Sequence, residues 1–422
     1  MERALRIIII GANLCNRGAE SMLLTLMSSI QPEIGDAHFT VWSYAGDDRP
    51  RCGTITHSDP NGINLKFELA YNYKGLGLLL LQGLLLVAPF APLCRLAGRL
   101  SSFVRDVHEA NAVIDISGFA LTGDRPWWRH IVYALEAGTA YACNTPFLAM
   151  TQSFGPFRNR WQKQIAKLAL AHAGLISARG ETSANNLESI GLSRAHDFII
   201  APDMSYLFEP APAQLAHELL QQSPRPRIAV IPNTNVYHQS YRHSKRNGCP
   251  NAYLTSMREI CQSAIDELDC HIVFIPHERY PSRFDDFALV NVIRDDPTIQ
   301  GNSTVLDSPL TASTLKSVIT QCDAVITSRY HGMLAALSGA VPAFVLGWAE
   351  KYEESAAMAG SSEFTFNFNQ TDPDFLVQRF RKFWECRAIT RQALLERLSG
   401  NHAEAKHAMN AMVEKLRSHS DQ

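Results

Sequence analysis

Short apolar runs rich in β-branched residues alternate with longer amphipathic segments, and this alternation restricts the fold more than any other feature of the chain. The runs in the first half are LRIIII, HFTVW, AVIDI, PFLAMT, GLISA and DFIIA, and those in the second half are RIAVIP, HIVFIP, AVITS and PAFVLGW. Such runs are typical of buried parallel strands, and the segments between them suit crossover helices. The sequence therefore predicts an α/β fold with doubly wound, mostly parallel sheets.

A proline-rich break divides this pattern into two halves. Four prolines bracket one short helical segment between Glu209 and Arg227, as is typical of a domain linker. A chain of 422 residues is also long enough for two domains. We expect an N-terminal Rossmann-like domain, a linker, a C-terminal Rossmann-like domain that faces the first across a cleft, and two C-terminal helices, over residues 1–208, 209–226, 227–372 and 373–422.

Composition narrows the class of protein and its compartment. The 39 basic and 41 acidic residues are interspersed and give a net charge of −2, which disfavours a nucleic-acid partner. The nine cysteines are irregularly spaced without a C-x-x-C, which favours a reducing compartment over a disulfide framework. The N-terminal MERALRIIIIGAN lacks the apolar length and cleavage site of a signal peptide and is better interpreted as a first strand. We therefore expect a cytoplasmic protein.

An uncharged stretch, GLGLLLLQGLLLVAPFAPLC, separates Lys74 from Arg95. About 20 apolar residues can span a bilayer, but Gln82, Pro89 and Pro92 interrupt this stretch. A helix covered by the core or a partner and an in-plane membrane contact both fit it better than a span does. Residues 76–93 are therefore a candidate peripheral contact with the inner face of the membrane.

Polar residues follow nearly every predicted strand, at the sheet edge where ligands of open α/β sheets bind. The first such loop, GANLCNRG, contains Asn13, Asn16 and Arg17, which can supply donors to a ligand at the start of the next helix. The loop lacks both the G-x-G-x-x-G spacing of dinucleotide sites and the G-K-[ST] of a P-loop. A plain strand-to-helix turn explains the same residues equally well.

The segment SRYHG lies between the strand AVIT and the helical MLAALSGA, which places Arg329 and His331 at the start of a helix. An arginine fork suits a carboxylate or a phosphate, and a histidine with an ordinary pKa near ~6.5 can exchange a proton at neutral pH. A surface arginine and a helix-capping histidine are the structural alternatives. Their location at a strand end favours an anion site with a general acid.

Three more candidates follow other strands. Arg179 comes after GLISA and Lys351 after PAFVLGWAE, and both are candidate cations for the same anion. Asp203, in APDMS, is a candidate base or orienting residue. The structural alternatives are a salt bridge from Arg179 to Glu181, a solvated lysine and an Asx turn.

No metal site is expected. Asp372 and Asp374 form a D-x-D, but Asp372 followed by proline is better explained as a helix N-cap with proline at the first helical position. The fifteen histidines include no H-E-x-x-H or comparable spacing.

Four ordered segments resemble the polysaccharide pyruvyl transferase family: GANLCNRGAESMLL, QSFGPF with LISARGETSANNLESIGL, APDMSYLF, and SRYHGMLAALSGAVPAFVLGWAEKY. The resemblance implies two Rossmann-like domains arranged as in GT-B glycosyltransferases, with the N-terminal domain on the acceptor side. It implies phosphoenolpyruvate as co-substrate without a cofactor. It also implies an acceptor sugar in an exopolysaccharide, capsule or cell-wall glycan, often carried on a lipid.

Residue by residue, Arg329 and His331 match the R-x-H of this family, and Arg179 matches its arginine after the central strand. The sequence departs from the family at Ala19, where many relatives have an acidic residue, and at Ser117–Phe119, where two glycines and a small residue are usual. These departures affect the expected acceptor contacts more than the donor contacts.

The implied reaction is formation of a pyruvyl ketal, with His331 as general acid and Asp203 as acceptor of a hydroxyl proton. Arg179, Arg329 and Lys351 would bind the carboxylate and phosphate of the donor. Two alternatives remain. A nucleotide-sugar glycosyltransferase of GT-B type would need base and ribose contacts for which the sequence has no clear fingerprint, and the intact R-x-H-G disfavours a non-catalytic glycan-assembly protein.

Overall fold

The structure is a computed structural model that describes residues 4–12, 15–44, 53–61, 64–72, 91–123, 125–220, 224–279, 284–307, 310–368 and 372–420. Asn13 and residues 76–90 of the uncharged stretch lie outside these ranges, so the expectations for them stay predictions. In the described part of the chain, no helix is both long and apolar enough to cross a membrane.

The first half of the chain forms an eight-stranded sheet with the order β3-β4-β2-β1-β5-β6-β7-β8. All neighbouring strands are parallel except β3 and β4, which form an antiparallel pair at one edge. The strands are β1 (Leu5–Ile10), β2 (Ala37–Tyr44), β3 (Gly53–Ser58), β4 (Asn64–Asn72), β5 (Ala112–Asp115), β6 (Phe147–Gln152), β7 (Ala173–Ala178) and β8 (Ile199–Ile200).

Helices cover both faces of this sheet, and the four isoleucines of β1 show why its strands are apolar throughout. Ile7 and Ile9 face α1, whereas Ile8 and Ile10 face the helices of the opposite layer, and none is more than 2% exposed. The helices are α1 (Arg17–Ile34), α2 (Ala91–Leu100), α3 (Ser102–Glu109), α4 (Trp127–Ala142), α5 (Arg160–Leu170) and α6 (Gly180–Glu188).

The second half forms a six-stranded, fully parallel sheet with the order β11-β10-β9-β12-β13-β14, the strand order of a Rossmann fold. Its strands are β9 (Arg227–Ile231), β10 (His271–Phe274), β11 (Ser303–Val305), β12 (Ala324–Thr327), β13 (Ala343–Gly347) and β14 (Thr365–Asn367). The helices are α7 (Ala213–Leu219), α8 (Thr234–Asn247), α9 (Ala252–Asp266), α10 (Asp286–Arg294), α11 (Pro297–Gly301), α12 (Ala312–Thr320), α13 (Tyr330–Leu337) and α14 (Glu350–Met358).

The chain ends in one continuous helix, α15 (Pro373–Ser420), so the expectation of two C-terminal helices is wrong. Gly400 costs an exposed helix about 1 kcal/mol, which tertiary packing on both sides of it outweighs. The first part of α15 packs on the second sheet through Phe380, and the last part packs on the first sheet through Met409 and Leu416. The predicted N-cap is confirmed, because the Asp374 N–H donates to the carboxylate of Asp372 at 2.9 Å.

We expect Phe380→Ala to lower the free energy of unfolding by ~3–5 kcal/mol, because a fully buried ring is replaced by a cavity. Phe380 is 0% exposed, and its ring lies 5.7 Å from that of Phe344 in β13. Phe375→Ala, at a position 46% exposed on the same helix, is the matched control and should cost about 1 kcal/mol or less. Equal losses in urea unfolding of the two variants would contradict this packing of α15.

Candidate active site

The carboxyl ends of the two sheets face each other across a space of about 1100 Å³, called here the central cleft. In each sheet the chain reverses its winding at one point, between β1 and β5 in the first and between β9 and β12 in the second. Loops diverge at such points and leave a crevice for a ligand. The loops after all four of these strands line the central cleft, through Gly11, Ser117, Asn233 and Arg329.

The loop after β1 passes so close to the loop after β5 that only glycine fits at position 11. A Cβ atom on Gly11 would lie 2.4 Å from the backbone nitrogen of Ser117, and Gly11 has a φ of +85°. This close approach brings the backbones of both loops to the wall of the central cleft. Ser117, one of the positions that depart from the family pattern, is therefore part of that wall.

Asn16 and Arg17 have different places in the structure. Asn16 lines the central cleft, and its side-chain oxygen caps α1 by accepting from two backbone N–H groups at 2.9 and 3.3 Å. Arg17 forms an ion pair with Glu20 and lines a separate small pocket. The two domains touch here, because Asn16 forms a backbone bridge with Glu278 and the Arg17 N–H donates to the His277 carbonyl at 3.4 Å.

Arg329 lies immediately before α13 and lines the central cleft with 6% of its surface exposed, which rules out the alternative of a surface arginine. Its Nη1 donates to Glu278 at 2.6 Å, and its Nη2 donates to Asp286. Burial disfavours the charge, but these two carboxylates outweigh burial and raise the pKa of Arg329. The guanidinium is therefore held by carboxylates of its own half of the chain.

His331 lies in the first turn of α13 and lines the central cleft. One edge of its ring packs on α1, where a Cβ atom at Gly18 would lie 2.1 Å from His331 Nδ1. Its Nε2 lies 3.9 Å from a carboxylate oxygen of Asp203. Burial lowers the pKa of His331 to about 4, against the opposing charge of Asp203, so the ring is neutral at neutral pH.

Asp203 and Arg179 form an ion pair beneath the floor of the cleft, and each is 1% exposed. Arg179 also donates to the Thr151 carbonyl at 2.7 Å, while Glu181, its alternative partner, pairs with Arg194 instead. Burial raises the pKa of Asp203, but Arg179 and then His331 outweigh it and hold that pKa below its ordinary value. Asp203 therefore stays ionised behind His331, out of direct reach of the cleft.

Lys351 lies at the centre of a row of alternating cations and aromatic rings. Its Nζ is 4.1 Å from the ring centre of Phe119 and 4.7 Å from that of Tyr330. Each ring also contacts a second cation, Arg125 at 4.9 Å from Phe119 and Arg179 at 4.8 Å from Tyr330. Burial, with Arg179 and Arg125 nearby, holds the pKa of Lys351 well below its ordinary value.

Neither of the two carboxylates that hold Arg329 belongs to a recognisable sequence motif. Glu278 follows β10 in the segment HERY, and a search for acidic residues at the ends of strands near β12 would have found it. Asp286 opens α10, far along the chain from Arg329, and nothing in its local sequence marks it as a partner. A buried arginine requires such counter-charges, but the sequence does not say where they come from.

Among the described residues, no group of three or more histidine, cysteine, aspartate or glutamate side chains is arranged to hold a metal ion. Among the described residues of the first domain, the charged groups that line the central cleft are Arg125 and Arg129, while the second domain contributes Arg242, Arg329 and Lys351 beside the carboxylates of Glu278 and Asp285. The cleft is thus suited to an anionic ligand.

A sequence model of the family described as polysaccharide pyruvyl transferase matches residues 16–350. This chain belongs to the polysaccharide pyruvyl transferase family. The matched range includes Arg179, Asp203, Arg329 and His331 and ends one residue before Lys351. No curated protein sequence matches the chain significantly.

Solved structures with a similar fold cover nearly the whole of this pyruvyl transferase family member. They include a UDP-GlcNAc 2-epimerase from Neisseria meningitidis bound to UDP-GlcNAc (10% identity, TM-score 0.59, covering 97% of this chain and 100% of that chain). A putative UDP-N-acetylglucosamine 2-epimerase from Listeria monocytogenes has 12% identity and a TM-score of 0.57, covering 99% and 97%. A sucrose-phosphate synthase from Thermosynechococcus elongatus has 11% identity and a TM-score of 0.55, covering 98% of each chain. Identities this low show the fold alone, and the predicted GT-B-like pair of Rossmann-like sheets is confirmed.

We expect protonation of His331 to destabilise this transferase family member in acid. A histidine whose pKa falls on folding does not change the stability of the fold when the pH is above its unfolded pKa of ~6.5. It destabilises the fold increasingly as the pH drops from that value toward its folded pKa. The folded pKa of His331 is about 4. When the pH falls from about 7.5 to about 5, the free energy of unfolding should therefore decrease by about 2 kcal/mol more in the unmodified protein than in the His331→Gln variant. Urea unfolding at both pH values measures this difference, and identical losses would contradict a buried, neutral His331.

Proposed function

We propose that this chain transfers a pyruvyl group from phosphoenolpyruvate to a sugar of an exopolysaccharide, capsule or cell-wall glycan and forms a cyclic ketal. The observation that carries the proposal is the position of the R-x-H residues of the family at the switch point of the second sheet. There Arg329 and His331 line the same cleft as Lys351. The donor is a small molecule with a carboxylate and a phosphate close together, and such a molecule needs several cations around it.

Lys351 is the cation best placed to respond to the donor. Among the described residues no carboxylate pairs with its ammonium, and it is surrounded by aromatic rings instead. An anion that binds beside a lysine favours its charged form and raises its pKa. Binding of the donor would therefore stabilise the positive charge of Lys351 beside the phosphate or carboxylate.

Arg329 differs from Lys351 because two carboxylates already accept hydrogen bonds from its terminal nitrogens. The arginine fixes Glu278 at the wall of the cleft and anchors the start of α13. The first backbone N–H groups of α13 have no partner within the helix, and they favour an anion at this end. Arg179 contributes its charge from below, through the ring of Tyr330.

His331 is the proposed general acid, and the bound donor supplies the reason for its protonation. Phosphoenolpyruvate, with its three negative charges, favours the imidazolium form of a ring that burial otherwise keeps neutral. Asp203, 3.9 Å from Nε2, stabilises the same protonated form. We assign Asp203 a positioning role, because it is buried beneath the cleft and reaches the substrates only through His331.

The proposed reaction consumes one phosphoenolpyruvate and two sugar hydroxyls and yields a cyclic ketal and inorganic phosphate. A proton from His331 adds to the methylene carbon of phosphoenolpyruvate, which becomes a methyl group, and the neighbouring carbon becomes an oxocarbenium-like electrophile. One sugar hydroxyl attacks this carbon, the bond to the phosphate oxygen breaks, and a second hydroxyl closes the ring. Of the two hydroxyl protons, one restores His331 and the other leaves with inorganic phosphate.

We expect His331→Ala to lower phosphate release from phosphoenolpyruvate by ~10²–10⁴-fold in the presence of an accepting glycan or lipid-linked sugar. Donor affinity, measured by calorimetry, should change little, because the cations remain. Asp203→Asn should lower the rate through His331 and shift the pH profile of kcat to lower pH. Release of a nucleoside diphosphate from a nucleotide sugar, with no phosphate release from phosphoenolpyruvate, would replace this proposal with a glycosyltransferase.

We expect Lys351→Met to weaken donor binding by a charge-assisted contact of ~1.5–3 kcal/mol, roughly tenfold to hundredfold in affinity. Methionine keeps the length of the side chain and suits the aromatic surroundings, so the melting temperature should stay the same or rise. Calorimetry with phosphoenolpyruvate and a thermal melt measure the two quantities. A variant with unchanged donor affinity would show that Lys351 does not contact the donor.

A further inference from the structure

The outer layer of the first domain carries an unusual combination of cations and exposed tryptophans. Between Arg125 and Leu170 the only acidic residue is Glu136, which is 3% exposed. The same segment contains six basic residues, namely Arg125, Arg129, Arg158, Arg160, Lys163 and Lys167. The whole chain has a net charge of −2, so this concentration of positive charge is local.

Three of the six tryptophans of the chain lie exposed on the same layer. Trp127 is 62% exposed and Trp128 is 44% exposed in the first turn of α4, and Trp161 is 37% exposed in the first turn of α5. The ring of His130 lies 5.5 Å from that of Trp161 and joins the two helix starts. We call Trp127, Trp128 and the exposed side chains of residues 158–168 the α4–α5 surface.

Helix α5 is amphipathic, and its outward side has the composition of an interfacial helix. Its inward side buries Gln162, Ala166 and Ala169 against the domain. Trp161 and Leu168 are seven residues apart and therefore share the outward side, with Leu168 57% exposed. Lys163 and Lys167 are exposed on one side of this apolar line, and cations beside an apolar line are typical of helices that lie in the plane of a bilayer surface.

We propose that the α4–α5 surface docks the protein on an anionic membrane. Tryptophan rings favour the headgroup level of a bilayer, and clustered lysines and arginines are attracted to anionic lipid headgroups. Nucleic acids also bind basic and aromatic surfaces, but they do so by stacking bases on rings. Leu168 offers no ring for stacking and suits the acyl boundary of a bilayer, so the surface favours lipid.

The α4–α5 surface lies beside the central cleft, so docking through it would bring the cleft close to the membrane. Arg125 and Arg129 line the cleft, and the Arg129 guanidinium lies 4.5 Å from the ring centre of Trp128, so the α4–α5 surface adjoins the cleft wall. A protein docked through it would hold the cleft beside the headgroups. This inference goes beyond the proposed function and does not depend on it, since it concerns the membrane and not the donor or the reaction.

The test is co-sedimentation of the full chain with vesicles of phosphatidylcholine that contain about one-third phosphatidylglycerol, against vesicles of phosphatidylcholine alone. We expect binding to the anionic vesicles only, and weaker binding at high salt because ions screen the attraction. Lys163→Gln with Lys167→Gln should weaken binding by about thirtyfold, since each cation near the surface contributes about 1 kcal/mol. Trp127→Ser with Trp161→Ser should weaken it by roughly tenfold or more.

The matched control is Phe375→Ser with Ile389→Ser, which removes two exposed apolar side chains from α15 and should leave binding unchanged. The melting temperature of each variant shows whether it is folded. If the double tryptophan variant does not fold, the double lysine variant alone tests the proposal. Phosphate release with a water-soluble acceptor should be unchanged in both α4–α5 variants. A protein that binds vesicles but releases no phosphate would refute the proposed function and leave docking supported.

Three results would overturn the docking proposal. One is unchanged vesicle binding in both α4–α5 variants. Another is loss of binding on replacement of Leu79, Leu80 and Leu84 by serine while the α4–α5 variants bind normally, which would assign the contact to residues 76–93. The third is binding to single-stranded nucleic acid without binding to anionic vesicles.

Discussion

Arg179 and Asp203 meet beneath the floor of the central cleft, where neither side chain reaches solvent. Loss of one partner from such a pair leaves an uncompensated buried charge, at a cost on the order of 3–5 kcal/mol. Asp203 also faces His331, and Arg179 faces Tyr330, so the pair connects the core of the first domain to the first turn of α13. The geometry of the cleft floor therefore depends on two residues that do not line it.

The row from Arg125 through Lys351 to Arg179 shows how three basic side chains are kept close together with aromatic rings between them. The rings of Phe119 and Tyr330 separate the charges and present their electron-rich faces to them. Burial, and then the positive charges of Arg179 and Arg125, lower the pKa of Lys351. Lys351 thus makes the fold less stable than an apolar side chain at the same position would, which is a common cost of an anion site.

The sequence predicted the parts of the fold that local patterns determine and missed those that depend on distant neighbours. All ten apolar runs contain strands, because buried strands need apolar side chains on both faces. Strand β4, which lies next to the edge strand β3, alternates buried Leu65 and Phe67 with exposed Lys66 and Glu68, and this pattern is weaker than a continuous apolar run. At the site, the positions of the strand ends predicted which residues lie close together. The pairing of Arg179 with Asp203 depends on tertiary packing, and no local sequence pattern indicates it.

The three residues of the R-x-H segment have different contacts because Arg329 precedes α13 in an extended conformation, whereas Tyr330 and His331 begin the helix and point about 100° apart. Arg329 extends to the carboxylates of the second domain, and Tyr330 lies between Arg179 and Lys351. His331 faces α1, where the absence of a side chain at Gly18 leaves room for its ring. The glycine of the N-R-G segment and the histidine of the R-x-H segment are therefore one packing unit. Because the two segments come from different domains, the position of the proposed general acid depends on how closely α1 and α13 approach.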